Sequence, residues 1–309
     1  LGLFFVPLSF VNFLLILWAL KRRSKAIIIP LLAFLPALMF LGRYVQLGGT
    51  ENPASGAMPI KVISYNVGNF SMQDKSAEVN GKSQCADSIF AYILAQDADI
   101  ICLQEFHVDD ISAVKSYLRK RFKDYKAEYF LNHQGGQGSG NVTLSRFPAK
   151  GKGVINFEES ANLALYTDYK VERRSFRVYN CHFQSYGISF NGMVRAFAER
   201  DEQAFAETSR KVKRSILLRP KQVNQVFDHV ESCQMESFVC GDFNDNPMSY
   251  TYQRLIRGRK DSFVEAGKGV GATFSLLWPM LRIDYILFPD RCKGMSYSVD
   301  RIPFSDHYP

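Results

Sequence analysis

The chain opens with twenty residues that carry no charge, Leu1–Leu20. An α-helix of about this length crosses the hydrocarbon core of a bilayer. The basic run Lys21–Lys25 follows, and a second, shorter apolar stretch then extends over Ala26–Gly42. Prolines within this second stretch are tolerated better in membrane helices than in helices of soluble proteins. We therefore expect residues 1–45 to form two transmembrane helices joined by a basic turn.

The basic turn also predicts the orientation of this hairpin. Short loops rich in Lys and Arg stay on the cytoplasmic side of a membrane, so everything after Arg43 is expected to lie outside the cytoplasm, on the periplasmic or external side. A cleaved signal peptide is the alternative, but here the charges lie between the two apolar runs and no small-residue cleavage site follows them. Two buried helices of a soluble fold agree less well with the sequence, because neither run shows a polar face.

Residues 46–59 are rich in Gly, Pro, Ser and Asn, which is typical of a linker, so a second domain is expected to begin near Ile60. The remaining residues, 60–309, are long enough for one sizeable domain. The chain has a formal net charge of +8, with basic clusters at Arg119–Lys126 and Arg210–Lys221. Such a surface attracts a phosphate-bearing partner mildly. Each cluster alone is explained more simply as a solvated helix face.

Within residues 60–309, segments that resemble strands alternate with segments of helical spacing. The predicted strands include Ile60–Asn66, Asp99–Gln104, Ser237–Gly241 and Arg282–Phe288, and the predicted helices are Lys82–Gln96, Asp109–Phe122 and Phe197–Val230. Between Ala127 and Phe183 the pattern changes to short strands separated by turn signals. Strands interleaved with helices favour an α+β or α/β sandwich, in which two packed sheets carry helices on their outer faces.

Two features that often mark binding sites lack the required spacing here. The glycine-rich stretch His133–Gly140 has neither the spacing of a P-loop nor that of a dinucleotide-binding loop, so we expect a flexible hairpin loop. The six cysteines show no metal-binding spacing. Three of them, Cys102, Cys181 and Cys240, lie in apolar runs, where free cysteine behaves as a small buried hydrophobe.

Polar residues follow or lie within several predicted strands and also occur near the end of the chain. In chain order they are Asn66, Glu105, His182, Asp242, Asn244, Asp284, Asp306 and His307. Each is weak evidence alone, since an Asp after a strand is commonly a cap or turn residue. Together they provide carboxylates for a hard cation, amides and imidazoles for phosphate oxygens, and a carboxylate that can activate water. The set predicts metal-assisted hydrolysis of a phosphate ester.

The local sequences around these residues also resemble a known family. YN, LQE, H-x-Q-S, GDFN, RIDYI and SDHYP occur in this order, and they are similar to motifs of the endonuclease/exonuclease/phosphatase superfamily, which has the DNase I-like fold. The resemblance covers roughly residues 60–309, and several independent motifs in the same order make chance a poor explanation. It implies a four-layer α/β sandwich, in which two mostly antiparallel sheets pack face to face between layers of helices.

The resemblance implies a metal site and a base. Glu105 would bind Mg²⁺ directly, with Mn²⁺ as a substitute, and Asn66 would help to position the ion. Asp306 would lie near the metal or serve a second one. Asp242 would orient and deprotonate the attacking water, which requires a carboxylate within hydrogen-bond reach. Asn244 would donate a hydrogen bond to a non-bridging phosphate oxygen.

The remaining residues of the set would bind the phosphate. His182 and His307 would clamp it, and Asp284 would hold the ring of His307, as carboxylates commonly do for working imidazoles. Water would attack phosphorus directly, with no covalent enzyme intermediate. Members of the family normally continue with a strand after the segment that corresponds to SDHYP, whereas this sequence stops at Pro309. Absence of that strand would expose a sheet edge and leave Asp306 and His307 poorly held, but an incomplete sequence is the better explanation.

Three functions are compatible with the sequence. The first is a phosphodiesterase or phosphatase that acts on a lipid head group or a small phosphoester outside the cytoplasm, as the predicted hairpin favours. The second is a nuclease on DNA or RNA, although no long basic helix with interleaved aromatic residues is evident. The third is a non-catalytic binding protein on the same fold, which the intact set of polar residues disfavours. The sequence leaves the substrate, the number of metal ions and the oligomeric state open.

Overall fold

The computed structural model describes residues 5–48, 58–71, 81–187 and 201–309. The helices are α1 (Phe5–Lys21), α2 (Ile28–Phe40), α3 (Gly81–Ala95), α4 (Val114–Arg121), α5 (Glu202–Glu231), α6 (Tyr250–Leu255) and α7 (Ser262–Ala266). The strands are β1 (Val45–Gln46), β2 (Val62–Asn66), β3 (Ile100–Val108), β4 (Lys126–Gln134), β5 (Gln137–Ser145), β6 (Ala149–Asn156), β7 (Leu163–Val171), β8 (Arg174–His182), β9 (Glu236–Asp242), β10 (Arg259–Asp261), β11 (Gly269–Val270) and β12 (Asp284–Pro289).

The two N-terminal helices run antiparallel to each other. The side-chain amide of Asn12 donates to the carbonyl of Pro30 at 3.0 Å, and the rings of Phe13 and Phe34 lie 6.1 Å apart. With its flanking 3₁₀ turns, α2 spans the 19 residues Lys25–Arg43, which are long and apolar enough to cross a membrane, whereas α1 is shorter. One helix near the N-terminus therefore meets the criteria for a span, and both a membrane anchor and a signal sequence would meet them.

Short strands attach these helices to the rest of the molecule. Val45 pairs with Val270 and Gln46 with Gly269, which forms a two-stranded antiparallel sheet between β1 and β11. Gln46 therefore lies in a strand and not in the linker that the composition predicts. The central part of that predicted linker, residues 49–57, lies outside the described residues.

The two large sheets are mostly antiparallel, as the resemblance implies. One has six strands in the order β10-β12-β9-β8-β7-β6, and the other has four in the order β2-β3-β5-β4. The exceptions are the pairs β8–β9 and β2–β3, which are parallel. The sheets pack face to face, and the buried apolar residues between them are Ile100, Cys102, Tyr169, Phe176, Val178 and Cys240.

Helices cover the outer face of each sheet and complete four layers. Residues of α3 and α4 pack with Ile101 and Leu103 on the outside of the four-stranded sheet, and residues of α5 pack on the outside of the six-stranded one. Because β3 is buried on both faces, its sequence is a continuous apolar run instead of an alternating one. The predicted α/β sandwich is confirmed, and the predicted helix over Phe197–Val230 is observed from Glu202 onward, with residues 197–200 outside the described ranges.

The glycine-rich stretch between β4 and β5 is more ordered than its composition predicts. Gln134 pairs with Gln137 and His133 with Gly138, so strand pairing continues to the last residue on either side of the turn. Gly135 and Gly136 form that turn with φ values of 59° and 88°. Positive φ at both central positions is the type I′ geometry that matches strand twist. The predicted hairpin is confirmed, and its loop is a tight turn of two glycines.

Candidate active site

Neighbouring strands of the six-stranded sheet place three polar side chains in one row. His182 at the end of β8 is in register with Asp242 at the end of β9, and Asp242 pairs in turn with Asp284 at the start of β12. Side chains opposite one another on adjacent strands share a face of the sheet. This row therefore follows directly from strand order and register.

The four-stranded sheet contributes an amide that reaches across the sandwich. Asn66 ends β2, and its Nδ2 donates to Asp242 Oδ2 and to Glu105 Oε1, both at 3.0 Å. Its Oδ1 accepts a hydrogen bond from the backbone N–H of Gly68 at 3.0 Å, which fixes the orientation of the amide. One side chain thus connects a carboxylate of each sheet.

Glu105 lies at an irregularity in β3. The register between β3 and β5 shifts between Leu103 and Phe106, and Glu105 has a φ of 51°. A bulge of this kind redirects a side chain out of the regular ladder. Besides the bond from Asn66, Glu105 accepts one at Oε2 from Asn69 Nδ2 at 2.9 Å. Amides therefore hold both carboxylate oxygens, while the side chain keeps 31% of its surface exposed.

Asp242 is almost completely buried, and its position depends on the glycine before it. Gly241 has a φ of 133°, and a Cβ there would lie 1.9 Å from the carbonyl oxygen of Cys181 on β8. Asp242 accepts hydrogen bonds from the backbone N–H of Asn244 at 2.7 Å and from its side-chain Nδ2 at 2.9 Å. Asn244 Nδ2 also donates to the carbonyl of Phe183 at 3.0 Å. In this structure the Asn244 amide orients Asp242.

His307 completes the row from the other end of the sequence. Its Nδ1 lies 2.9 Å from Asp284 Oδ2, so its Nε2 is directed toward Asp242 Oδ2 at 3.8 Å. The hydroxyl of Ser305 donates to the carbonyl of Asn66 at 2.7 Å. His307 is 5% exposed and forms a β-bridge with Phe274. Contacts with Asn66, Phe274 and Asp284 therefore hold this segment in place.

Two of the predicted residues have few polar partners. His182 Nε2 is buried without a hydrogen-bond partner, 3.5 Å from Glu105 Oε1 and 3.7 Å from Asp242 Oδ2. The carboxylate of Asp306 lies beside the hydroxyl of Ser305, at 3.4 Å. Of the eight predicted residues, Glu105 lies in the bulge within β3 and Asn244 lies two residues after β9, whereas the other six lie at strand ends or in the terminal segment that contacts them.

Two groups of ligand atoms within the described residues are close enough to share a metal ion. Glu105, His182 and Asp242 form the first group, and Asp242, Asp284 and His307 form the second. In each group the ligand atoms all lie within 4.8 Å of one another. Asp306 belongs to neither group.

Comparison with known families agrees with this geometry. Residues 63–307 match the model of the Endonuclease/Exonuclease/phosphatase family. The chain belongs to this family. Its members are phosphoesterases, and the protein is accordingly a hydrolase of ester bonds. No curated protein matches the chain.

Solved structures with the same fold cover most of the molecule. A functionally unknown conserved protein from Enterococcus faecalis is 18% identical, with a TM-score of 0.56 over 81% of this chain and 96% of that one. A humanized D. rerio TDP2 is 18% identical, with a TM-score of 0.55 over 81% and 96%. A Bacteroides thetaiotaomicron mannosyl-6-phosphatase is 17% identical, with a TM-score of 0.55 over 81% and 97%. At these identities the likeness establishes the shared fold.

Enzymes of the endonuclease/exonuclease/phosphatase family generally depend on a divalent metal, and the site fits such an ion. Glu105 offers a partly open carboxylate whose two oxygens are already oriented by amides. His182 offers a buried ring nitrogen without a partner. Oxygen ligands with some imidazole suit a hard divalent cation. The chemistry of the donor set is therefore consistent with metal binding, and it leaves the identity of the metal open.

The six-stranded side of the site holds opposite charges in a buried setting. Burial raises the pKa of Asp242 to about 6, and the neighbouring Asp284 adds to the rise, whereas His307 and His182 oppose it. Burial alone lowers the pKa of His307, but Asp284 and Asp242 outweigh it and raise that pKa to about 10. Close carboxylates favour the charged form of an imidazole. His307 is therefore an imidazolium held between two acids at neutral pH.

Three residues that support the site are absent from the sequence-based prediction. Asn69 holds Glu105, and Thr273 Oγ1 accepts hydrogen bonds from the backbone N–H groups of Ile283 and Asp284, each at 3.1 Å. Arg219 is buried on α5, donates to the carbonyl of Gln184 at 2.8 Å and pairs with Asp245 at 3.0 Å. The sequence signal for Asn69 is its position three residues after Asn66. No comparable signal marks the other two.

Proposed function

We propose that this protein is a metal-dependent phosphoesterase in which an activated water attacks phosphorus directly. The observation that carries the proposal is the convergence of Asn66, Glu105, His182, Asp242 and His307 on one edge of the sandwich, with Asp284 behind the last of them. A structural role alone does not require so many charged groups to be buried together, since buried charges are costly unless they are used or paired.

The residues have distinct tasks in this proposal. Asp242 accepts the proton of the attacking water, and Asn66 and Asn244 hold its carboxylate in place. The His307 imidazolium, kept charged by Asp284, binds a phosphate oxygen, and His182 binds another.

Metal binding belongs to the open side of the site. Glu105, with Asn66 and Asp306 close to the same edge, would hold Mg²⁺ or Mn²⁺. When bound there, the ion neutralises negative charge on the phosphoryl oxygens. The protein's contribution is to present the Glu105 carboxylate in a fixed orientation, because Asn66 and Asn69 occupy one lone pair on each of its oxygens.

The proposed substrate is a lipid head group or a small phosphoester outside the cytoplasm. The antiparallel pair α1–α2, with the basic turn Lys21–Lys25 between its helices, supports a membrane anchor that leaves the catalytic domain on the external side. A nuclease on DNA or RNA is the alternative on the same site. A reporter fused after Gly48 tests the orientation, and activity of that reporter in the cytoplasm alone would overturn it.

Hydrolysis by the full chain in detergent tests the catalytic proposal. The substrates are plasmid DNA, abasic duplex, sphingomyelin, phosphoinositides and a chromogenic phosphodiester, each with Mg²⁺ or with EDTA. We expect metal-dependent turnover of a lipid or small phosphoester, and a loss of about 10³-fold or more in Asp242→Asn. Asp228→Asn, an exposed carboxylate on α5, is the matched control. Full activity of Asp242→Asn, or no turnover of any substrate, would refute the mechanism.

A further inference from the structure

We propose that the mouth of the active site faces the bilayer and that the apolar loop 275–281 enters the membrane surface, so that the enzyme acts on phosphate esters of lipids in the membrane that anchors it. This inference rests on the proposed function, because it requires α1 and α2 to be a membrane anchor. It adds the direction in which the site opens and the surface that touches the lipid.

The first observation is where the anchor meets the catalytic domain. Arg43, at the end of the 3₁₀ turn that follows α2, donates from Nη1 to the carbonyl of Pro247 at 3.1 Å. Its guanidinium also lies 5.3 Å from the ring centre of Tyr252. Pro247 is only five residues beyond Asp242. The anchor therefore reaches the loop that follows the proposed base.

A second attachment leads to the same edge. The carbonyl of Tyr44 accepts from the backbone N–H of Gly271 at 3.2 Å, next to the pairing of β1 with β11. Two residues later, Thr273 Oγ1 accepts from the N–H of Asp284. Both attachments lie within a few residues of catalytic strand ends. Among the described residues, both of these attachments join the anchor to the edge of the sandwich that carries the active site.

The third observation is an exposed apolar loop beside the catalytic histidine. The loop 275–281 has the sequence SLLWPML, and the N–H of Ser275 donates to the carbonyl of Asp306 at 2.8 Å. Leu276 is 55% exposed and Trp278 is 41% exposed. The guanidinium of Arg301 lies 4.5 Å from the centre of the Trp278 ring. Tryptophan and arginine with an adjacent leucine are suited to the boundary between head groups and acyl chains.

The helix on the other side of the mouth is basic. Ser215 and Arg219 of α5 both donate to the carbonyl of Gln184, two residues after His182. Immediately beside this contact, Arg210, Lys213, Arg214 and Lys221 line one cleft with Glu159 and the exposed Leu217. Basic residues mixed with exposed apolar ones favour an anionic lipid surface. A nucleic acid would use the charges but would leave the apolar loop without a partner.

The opposite edge of the sandwich provides a matched comparison. Leu94 near the end of α3 is also 41% exposed. It lies next to Gln96, whose carbonyl accepts from Lys61 Nζ, and Lys61 directly precedes β2. Since the active site is at the other end of β2, Leu94 is expected to remain in water.

Tryptophan fluorescence of the full chain in vesicles tests the inference. The sequence contains two tryptophans, Trp18 and Trp278. In a Trp18→Phe variant reconstituted into phosphatidylcholine/phosphatidylglycerol vesicles, brominated acyl chains should quench Trp278. The control combines Leu94→Trp with Trp18→Phe and Trp278→Phe. Brominated acyl chains should not quench the tryptophan at position 94 in this control. Equal quenching at both positions, or none at position 278, would overturn the inference.

A second measurement separates this inference from the proposed function. We expect Trp278→Ser to reduce turnover of a phosphoester lipid in vesicles by about 10-fold, because burial of the indole no longer favours docking. Turnover of a soluble chromogenic phosphodiester by the same variant should be unchanged. Quenching of Trp278 without turnover of any substrate would refute the function but retain the docking surface. Turnover of the soluble phosphodiester without quenching of Trp278 would refute the docking surface but retain the proposed function.

Discussion

The two sheets hold their acidic residues in different ways. On the four-stranded side, neutral amides of Asn66 and Asn69 orient Glu105, whose side chain stays partly exposed. On the six-stranded side, Asp242 and Asp284 are buried, and His307 lies between them with a raised pKa. On the four-stranded side, amides orient the Glu105 carboxylate and, within the described part of the chain, no fixed cation pairs with it. On the six-stranded side, the imidazolium of His307 is a cation that pairs with Asp242 and Asp284.

This difference indicates a division of labour. A carboxylate held by neutral donors keeps its charge available for an incoming cation. A carboxylate paired with an imidazolium is compensated, so it can move or share a proton without attracting a further ion strongly. We therefore expect substitutions on the four-stranded side to change metal affinity, and substitutions on the six-stranded side to change turnover at saturating metal.

After Asp242→Asn, the largest expected effect is that of Glu105→Gln. Loss of the open carboxylate should lower kcat by about 10³-fold and should weaken Mg²⁺ binding by at least about 10-fold. Isothermal titration calorimetry and metal-dependent kinetics measure the two quantities. Glu128→Gln, which removes a carboxylate of β4 paired with Lys152 on β6 of the other sheet, should change neither. Unaltered Mg²⁺ affinity in the Glu105 variant would show that residues of the six-stranded side bind the metal instead.

Asp284→Asn should have the next largest effect. Without the carboxylate 2.9 Å from its Nδ1, His307 loses the partner that orients it and keeps it charged. We expect kcat to fall by about 10²-fold while Mg²⁺ affinity stays within about 2-fold of the wild type. Asp284→Glu should restore part of the rate. Asp300→Asn is the control, since Asp300 accepts from Tyr92 away from the site. A large loss of metal affinity in Asp284→Asn would contradict the proposal that the six-stranded side affects turnover and not metal binding.

Asn69→Gly isolates the contribution of one amide. Glycine retains the backbone conformation at φ 53° but removes the donor to Glu105 Oε2. We expect Mg²⁺ affinity to fall by about 10-fold, as for other residues that orient a metal ligand, with little change in thermal stability. Asn69→Ala should reproduce the weaker binding and should also lower Tm, because alanine disfavours a positive φ. If only Asn69→Ala weakened binding, backbone strain would be the cause.

His229 provides the smallest test, away from both halves of the site. Burial and Arg177 lower its pKa, the opposite direction to that of His307. The unfolded chain therefore takes up a proton near pH 6.5 before the folded protein does. The contribution of His229 to stability is complete above that pH. It is lost as the pH falls toward the lower pKa that His229 has in the folded protein. Between pH 7 and 5 the Tm of the wild type should decrease slightly more than that of His229→Gln, and an equal decrease would contradict this sign.

Strand ends were the predictable part of the site. Asn66, His182 and Asp242 each close a strand whose apolar pattern is visible in the sequence, and the parallel pairing of β8 with β9 brings two of them together. The sequence also identifies Glu105, although this residue lies in a bulge within β3 instead of at its end. Periodicity locates a strand, but a bulge depends on the partner strand and leaves no local pattern.

Residues that act through tertiary packing were not predictable. Arg219 lies in the middle of α5, where a buried cation appears in the sequence as part of a basic helix face. Its role depends on how that helix packs against Gln184 and Asp245. Composition predicts a linker at Gln46, whereas among the described residues it pairs with Gly269, more than two hundred residues away. In both cases the deciding contact is distant in sequence, so composition and spacing do not report it.

The reactivity of the buried cysteines reports which layer of the sandwich opens. Cys240 lies between the two sheets, where a hydrogen bond with Cys102 and burial raise the pKa of its thiol. Cys181 lies under α5, where burial raises the pKa of its thiol. A thiolate is needed for disulfide exchange with an aromatic reagent, so each thiol reacts only when its own layer opens. Modification of Cys181 before Cys240 would mean that the helical layer detaches while the sheets stay together. Simultaneous modification would mean that all four layers separate in one cooperative step.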